Sequence, residues 1–323
     1  MTRPGEPLTR RTLVRTLAAA VVAPTVASLA SGCRDTETSP ITIAAGTAYG
    51  TYAVFAGLLA DQLRAVSPEL EPTVLSTEGS RDNVRLLRDG DAALGLALED
   101  GLDRIVAGTP EAERPMALAR IYENYLHLLV TDESPIREVD DLRGRRVVLG
   151  AAGSGAAVTA VVLLEAAGLR PRDLTPSHLG LRASLDQLLE GEVDAVFWSG
   201  GIPTPTIIEA GRRRPLRMID LGALAGPMSR RSGYRYSTRR VPPVDYGPRS
   251  GGRTIGVPNL LLARRDLPHR VAREVVDVMV SRADLLIPDF VRGLQYLEPA
   301  TMIQTGQIPL HPGALSAYRA LHG

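Results

Sequence analysis

From residue 41 onward, short apolar runs of strand length alternate with longer segments whose apolar residues recur at helical spacing, and the alternation begins twice. Residues 41–45 read as a strand, 46–50 as a turn and 51–66 as a helix. A second strand at 73–76, the loop Glu78-Gly79-Ser80, a helix over 81–88 and a largely apolar strand at 92–98 follow. The pattern restarts with strands at 127–130 and 146–149, separated by a turn at 140–144, and continues with helices over 156–167 and 181–189 and a strand at 193–198. Residues 229–252 are dense in Gly, Pro, Arg and Tyr and read as a long irregular loop. A strand over 254–262 and a helix over 271–286 come after it. Strands interleaved with helices predict an α/β chain with a mostly parallel sheet and helices on its faces. Two such units predict two lobes, 41–130 with 253–323 and 131–252, the chain leaving and re-entering the first. The cleft between them is the expected place for a small ligand.

The first residues form three zones: a basic stretch around Arg10-Arg11, an apolar stretch from Leu17 to Leu29 broken by Pro24, and small Ala30-Ser31-Gly32 before Cys33. That order is an export signal. The apolar part falls short of the roughly 20 residues a membrane span needs. Small residues before Cys33 resemble the lipobox of bacterial lipoproteins, with Ala30 where a leucine is usual, and the paired arginines resemble a twin-arginine signal. Residues 1–32 are therefore expected to be removed and Cys33 acylated, with 33–40 a flexible tether holding the protein to the outer face of the cell membrane. Cys33 is the single cysteine, so no internal disulfide or cysteine metal site can form.

All 37 basic residues are arginine, which rules out a Schiff-base lysine, a P-loop lysine and a Ser-Lys dyad. Loss of the leader takes away Arg3, Arg10, Arg11, Arg15 and Glu6 and leaves a nearly neutral chain. Neutrality and the lack of a basic patch argue against nucleic acid as a partner. No HExxH motif or histidine pair at helical spacing occurs, so neither a metal nor a cofactor is expected.

Three segments share one design, a strand, then a Gly and Ser/Thr loop, then a helix: Gly46-Thr47-Ala48-Tyr49-Gly50-Thr51-Tyr52, Glu78-Gly79-Ser80-Arg81-Asp82-Asn83 and Gly150-Ala151-Ala152-Gly153-Ser154-Gly155. Glycine lets backbone amides approach a ligand, and the unpaired donors of a first helical turn favour an anion. Ser and Thr are also ordinary helix caps with no ligand at all. Recurrence at corresponding places in two α/β units is what points to binding.

Over these pieces the chain resembles a known family. Segments 41–57, 76–90, 122–155 and 191–203, with Gly50-Thr51-Tyr52, Gly79-Ser80, Asn83-Val84-Arg85-Leu86-Leu87, Asp141-Leu142-Arg143-Gly144, Gly153-Ser154-Gly155 and the terminal Pro309-Leu310-His311-Pro312-Gly313-Ala314, look like the TAXI family of solute receptors for tripartite ATP-independent periplasmic (TRAP) transporters. The resemblance implies a two-lobed, type II-like periplasmic-binding-protein fold with mixed sheets that closes on a small solute, glutamate or a related organic anion. Carried over by position, Gly46, Thr47, Tyr49, Gly50, Tyr52, Ser80 and Asn83 face the ligand from the first lobe, and Ser154 and Gly155 from the second. Glu78, Asp82 and Trp198-Ser199 depart from the family pattern. Glu99 reads either as a partner for a ligand ammonium or as a solvated strand-end residue, and Trp198 either as a stacking wall or as core. The expected function is capture of a carboxylate or amino acid for delivery to transporter subunits in the membrane. The alternative partner is a membrane sensor kinase. Catalysis is not expected, because no nucleophile has an evident base.

Overall fold

A computed structural model describes residues 39–48, 50–242, 252–288 and 297–321. The leader, Cys33, most of the tether and Tyr49 lie outside the described residues.

In chain order the elements are β1 (Ser39–Ala44), α1 (Thr51–Val66), β2 (Leu70–Leu75), α2 (Ser80–Asp89), β3 (Leu94–Leu98), α3 (Leu102–Ile105), β4 (Met116–Thr131), β5 (Arg146–Val148), α4 (Gly155–Ala166), β6 (Thr175–Ser177) and α5 (Leu181–Glu190). They continue with β7 (Ala195–Gly200), α6 (Pro205–Arg213), β8 (Leu216–Met218), α7 (Ala225–Ser232), β9 (Ser237–Val241), β10 (Gly252–Ala263), α8 (His269–Ser281), α9 (Pro299–Met302) and α10 (Pro312–Leu321). The strands hydrogen-bond in the order β2-β1-β3-β10-β4-β7-β5-β6, with β8 beside β4 and β9 beside β10. One wing of this sheet is the parallel set β2-β1-β3, the other the parallel set β7-β5-β6, and the antiparallel β10 and β4 join them. The two wings have one topology. In each, the first strand is central, the second lies outside it and the third inside it.

Local sequence explains these elements. Phe55, Ala56, Leu59, Ala60 and Leu63 recur at helical spacing and are the buried face of α1. Pro72 and Pro176 fall on β2 and β6, the two ends of the strand order, where a residue without an N–H costs no ladder bond. In both wings the second helix ends on a left-handed glycine, Gly90 at φ 83° and Gly191 at φ 75°.

The long strands β4 and β10 serve two cores in turn. Leu118, Ile121 and Tyr122 pack with Ile43, Phe55, Leu59, Leu261, Val275 and Met279. Leu126, Leu128 and Val130 pack with Val147, Leu163, Phe197, Ile255 and Val257. The changeover falls at Glu123-Asn124 on β4 and Pro258-Asn259 on β10, where Pro258 stands opposite Glu123 and the register slips before Leu260. Glu123 is buried and receives a two-pronged ion pair from Arg239 of β9, with Nε to Oε2 at 2.5 Å and Nη2 to Oε1 at 2.9 Å. Asn259 accepts from the Tyr52 hydroxyl at 2.6 Å and donates to the Tyr122 carbonyl at 3.1 Å.

Two sequence expectations change here. The strand expected at 127–130 is the end of sixteen-residue β4, whose first part carries Arg120, Glu123 and Asn124 and so does not read as an apolar run. Within 229–252, α7 continues to Ser232 and Ser237–Val241 pairs with β10, its alternating exposure showing a period of two that the arginines obscure.

Asn83 ties the strand ends of the first wing together. Its Oδ1 accepts from the Thr77 hydroxyl at 2.6 Å, and its Nδ2 donates to the carbonyls of Ala45 at 2.5 Å and Leu96 at 2.6 Å. Across the wings, Asp100 takes hydrogen bonds at Oδ2 from Thr159 of α4 (2.7 Å) and from the Tyr236 hydroxyl (2.9 Å), while its Oδ1 is buried without a partner. Burial pushes the Asp100 carboxyl up to about 6, the Thr159 and Tyr236 donors opposing that shift.

Two outcomes are expected. Asn83→Ala takes a donor from two buried carbonyls and the acceptor from the Thr77 hydroxyl proton, so it should cost about 3 kcal/mol in urea unfolding. Because the Asp100 carboxyl is raised in the folded state, its contribution to stability is full below the unfolded value near 4 and is lost as pH rises through about 6. Asp100→Asn keeps an acceptor for both donors and removes the titration. Its stability relative to the native chain should therefore rise between pH 4 and pH 7, by on the order of 2–3 kcal/mol; a difference that does not change with pH would contradict the assignment.

Candidate functional site

The carboxyl ends of the parallel strands in both wings converge on one cavity. It is lined by Gly46, Thr47, Gly50, Thr51 and Tyr52 after β1, by Glu78 and Gly79 after β2, and by Leu98 at the end of β3. The other wing supplies Ala151, Ser154, Gly155 and Ala156 after β5 and Trp198 and Ser199 from β7, and Asn124 of the β4 changeover completes the lining. Its volume is ≈ 50 Å³. Strand carboxyl ends are where open α/β sheets bind ligands, because the following helices point their first turns there.

Each loop is shaped by its sequence. Gly79 has φ 116°, a conformation that side chains disfavour, and a Cβ on it would stand 3.2 Å from the Cα of Ser154 in the facing wing. Gly155 opens α4 against Leu98, and a Cβ there would meet a Leu98 methyl at 2.6 Å and the Ser80 hydroxyl at 2.8 Å. These glycines let the wings touch. The Arg81 amide in the first turn of α2 donates to the Gly153 carbonyl at 3.0 Å, and the Gly201 amide donates to the Thr51 hydroxyl at 3.2 Å.

Of the residues expected at a ligand, the structure brings Gly46, Thr47, Gly50, Tyr52, Ser154, Gly155 and Trp198 together around the cavity. Three fall elsewhere. Ser80 is buried and its Oγ accepts from the Leu98 amide at 3.1 Å, so it fastens the start of α2 to the end of β3. Asn83 is fully buried with its amide spent on the strand ends. Glu99 lies outside the lining and accepts from the Tyr234 hydroxyl at 3.2 Å; burial raises its carboxyl above the ordinary range, opposed by that hydrogen bond. Glu99 and Asp100 thus meet Tyr234 and Tyr236, whose rings contact edge to face at 4.9 Å, in a polar seam between the wings. Tyr49 lies outside the described residues.

Sequence reading gave no ligand role to Leu98, Asn124, Ala156 and Ser199, and it included Thr51, Glu78, Gly79 and Ala151 only as parts of the three loops. One signal was available. Gly79, Arg81, Leu87 and Gly90 recur 101 positions later as Gly180, Arg182, Leu188 and Gly191, and that offset aligns Leu98 with Ser199, both in the lining.

The lining is polar in backbone and hydroxyl groups and sparing in charge. Thr51 and Tyr52 begin α1, and Gly155 and Ala156 begin α4, so first-turn amides without intrahelical partners border the cavity from both wings. The N-cap of α1, Gly50, offers no side-chain cap, whereas Ser154 caps α4 by accepting from the Ala157 amide at 3.2 Å. Among the described residues Glu78 is the single charged side chain in the lining, and it is exposed. Asn124 is 3% exposed with its Oδ1 buried and unpaired, and the Trp198 Nε1 is likewise buried without an acceptor. Burial raises the Tyr52 hydroxyl well above its ordinary value, so it stays a neutral donor to Asn259. The Ser154 hydroxyl donates to the Ala151 carbonyl at 2.8 Å, and among the described residues no histidine or cysteine lines the cavity. Among the described residues no cluster of His, Cys, Asp and Glu could hold a metal, and no helix is long and apolar enough to cross a membrane.

The fold recurs among solved structures. A solved protein from Bordetella bronchiseptica RB50 shares it over 88% of this chain and 90% of that one, at 16% identity and a TM-score of 0.51. Also similar are the periplasmic aliphatic sulphonate binding protein SsuA from Escherichia coli (17% identity, 87% and 83% of the two chains, TM-score 0.45) and a putative L-cystine ABC transporter protein from Listeria monocytogenes (15%, 77% and 93%, TM-score 0.49). Residues 43–320, from β1 to the last helix, match the NMT1-like family, and the chain belongs to that family.

Proposed function

We propose that this chain is an extracytoplasmic solute-binding lipoprotein that captures a small carboxylate-bearing solute or amino acid between its wings and hands it to a membrane transporter. The observation that carries the reading is the cavity at the converging strand ends, lined by first-turn residues from both wings. A site divided in this way couples binding to closure, since each wing holds half of the contacts. Binding without chemistry fits a lining whose Ser154 is committed to backbone partners. The motif resemblance carries the finer assignment, a TAXI-type receptor serving a TRAP transporter. The leader ending at Cys33 supports a lipid anchor on the outer face of the cell membrane.

Trp198 is the single tryptophan and lines the cavity, so its fluorescence is a built-in probe. Carboxylates and amino acids screened against the full chain should include one that changes this fluorescence and raises the thermal midpoint. At a hundredfold excess over Kd the stabilisation is about 2.7 kcal/mol, on the order of 5 °C or more for a chain of this size. Silence across the panel would overturn the ligand class. Cys33→Ala should move the protein from the membrane fraction to the medium with ligand affinity unchanged. Retention of that variant on the membrane would contradict the anchor.

A further inference from the structure

We infer that the cavity selects a short, net-neutral zwitterion, a small α-amino acid, over the dicarboxylates and glutamate that the motif resemblance suggests. The inference rests on the solute-binding reading and sharpens it through three observations of the lining.

The first is charge. Among the described residues no arginine lines the cavity although every basic residue of the chain is one, and the charge that is present, Glu78, is negative. A dicarboxylate would place two negative charges beside Glu78, with only the partial positive ends of α1 and α4 to offset them. A zwitterion brings its own counter-charge: its carboxylate suits the first turns of α1 and α4, and its ammonium suits Glu78. The second is hydrogen bonding. Asn124 Oδ1 is a buried acceptor with no partner, and Trp198 Nε1 a buried donor with none, on residues that both line the cavity. Unpaired buried polar atoms are costly, so a ligand that both donates and accepts is favoured over one that only accepts. The third is size. A volume of ≈ 50 Å³ has room for roughly three to five waters, which favours a short solute over a long one. Widening it would break the Arg81 to Gly153 contact and separate Gly79 from Ser154.

Calorimetric titration of the full chain with glycine, L-alanine, L-serine, propionate, succinate and L-glutamate tests this. At least one of the three neutral amino acids should bind tenfold or more tighter than propionate, succinate and glutamate. Glu78 is exposed on a loop, so Glu78→Gln should keep the unliganded thermal midpoint. It should weaken the amino acid at least tenfold and narrow its advantage over propionate. Tighter binding of succinate or glutamate, or an unchanged amino-acid affinity in E78Q, would overturn the inference while leaving a solute-binding protein. If none of the six binds but another compound raises the thermal midpoint in the wider screen, this inference alone falls; if nothing binds in either experiment, both fall.

Discussion

The architecture depends on two long strands that change cores in mid-course, and on the buried polar residues that mark the change. β4 and β10 bury apolar side chains on either side of Glu123-Asn124 and Pro258-Asn259, and at those positions the apolar pattern stops. A buried carboxylate is expensive unless paired, and Arg239 pairs Glu123 with both prongs of its guanidinium. That single ion pair brings β9 onto β10 beside the changeover. Asn259 sits where the register slips, and its two hydrogen bonds, from Tyr52 and to the Tyr122 carbonyl, fix the slip relative to α1. Pro258 can stand in the strand because the ladder is already interrupted there. The sheet is thereby divided without being cut, and the cavity opens at the division, with Asn124 in its wall.

From this seam outward, the site follows from repetition. Each wing builds strand, helix, strand, helix, strand with the same strand order, so the carboxyl ends of both parallel sets and the helix starts that follow them face one space. Facing helix starts repel one another through their partial charges, and close approach needs side chains out of the way. Gly79 against Ser154 and Gly155 against Leu98 supply the clearance. The contact is then fastened by two backbone donors, the Arg81 amide to the Gly153 carbonyl and the Gly201 amide to the Thr51 hydroxyl. What is left over is a small chamber bordered by amide donors.

Much of this was legible in the sequence because apolar periodicity decides where strands and helices run. The helix over 51–66 agrees with α1 at both ends, and the glycine loops after β1 and β5 do border the cavity. The illegible parts share a cause. Where buried residues are polar, periodicity fails as a guide: β4 was read from its apolar end alone, and β9 was hidden among arginines. The same failure hid the backbone partners of Ser80 and Asn83. A Ser and an Asn in a loop-to-helix motif look like ligand donors, but whether such groups face a cavity or the inside of their own wing depends on which strand carbonyls lie behind them. Asn83 finds Ala45 and Leu96, and Ser80 finds the Leu98 amide. Glu99 and Tyr234 are 135 positions apart, and no local pattern records that meeting.

The seam formed by Glu99, Asp100, Thr159, Tyr234 and Tyr236 bears on how the protein could cycle. It holds the wings together on bonds that do not involve the cavity, so part of the free energy of closure is present before any solute arrives. A ligand shifts an equilibrium only by its difference in affinity for the two states. Under the proposed function, a seam of its own would lessen what the ligand must supply for closure. The seam has an opposing cost in the buried Asp100, whose Oδ1 has no partner and whose carboxyl titrates at about 6. Under the same reading the charged form above about pH 6 would make closure less favourable. A strong hydrophobic seam would remove that dependence, and with it the ability of a weak ligand to decide between open and closed.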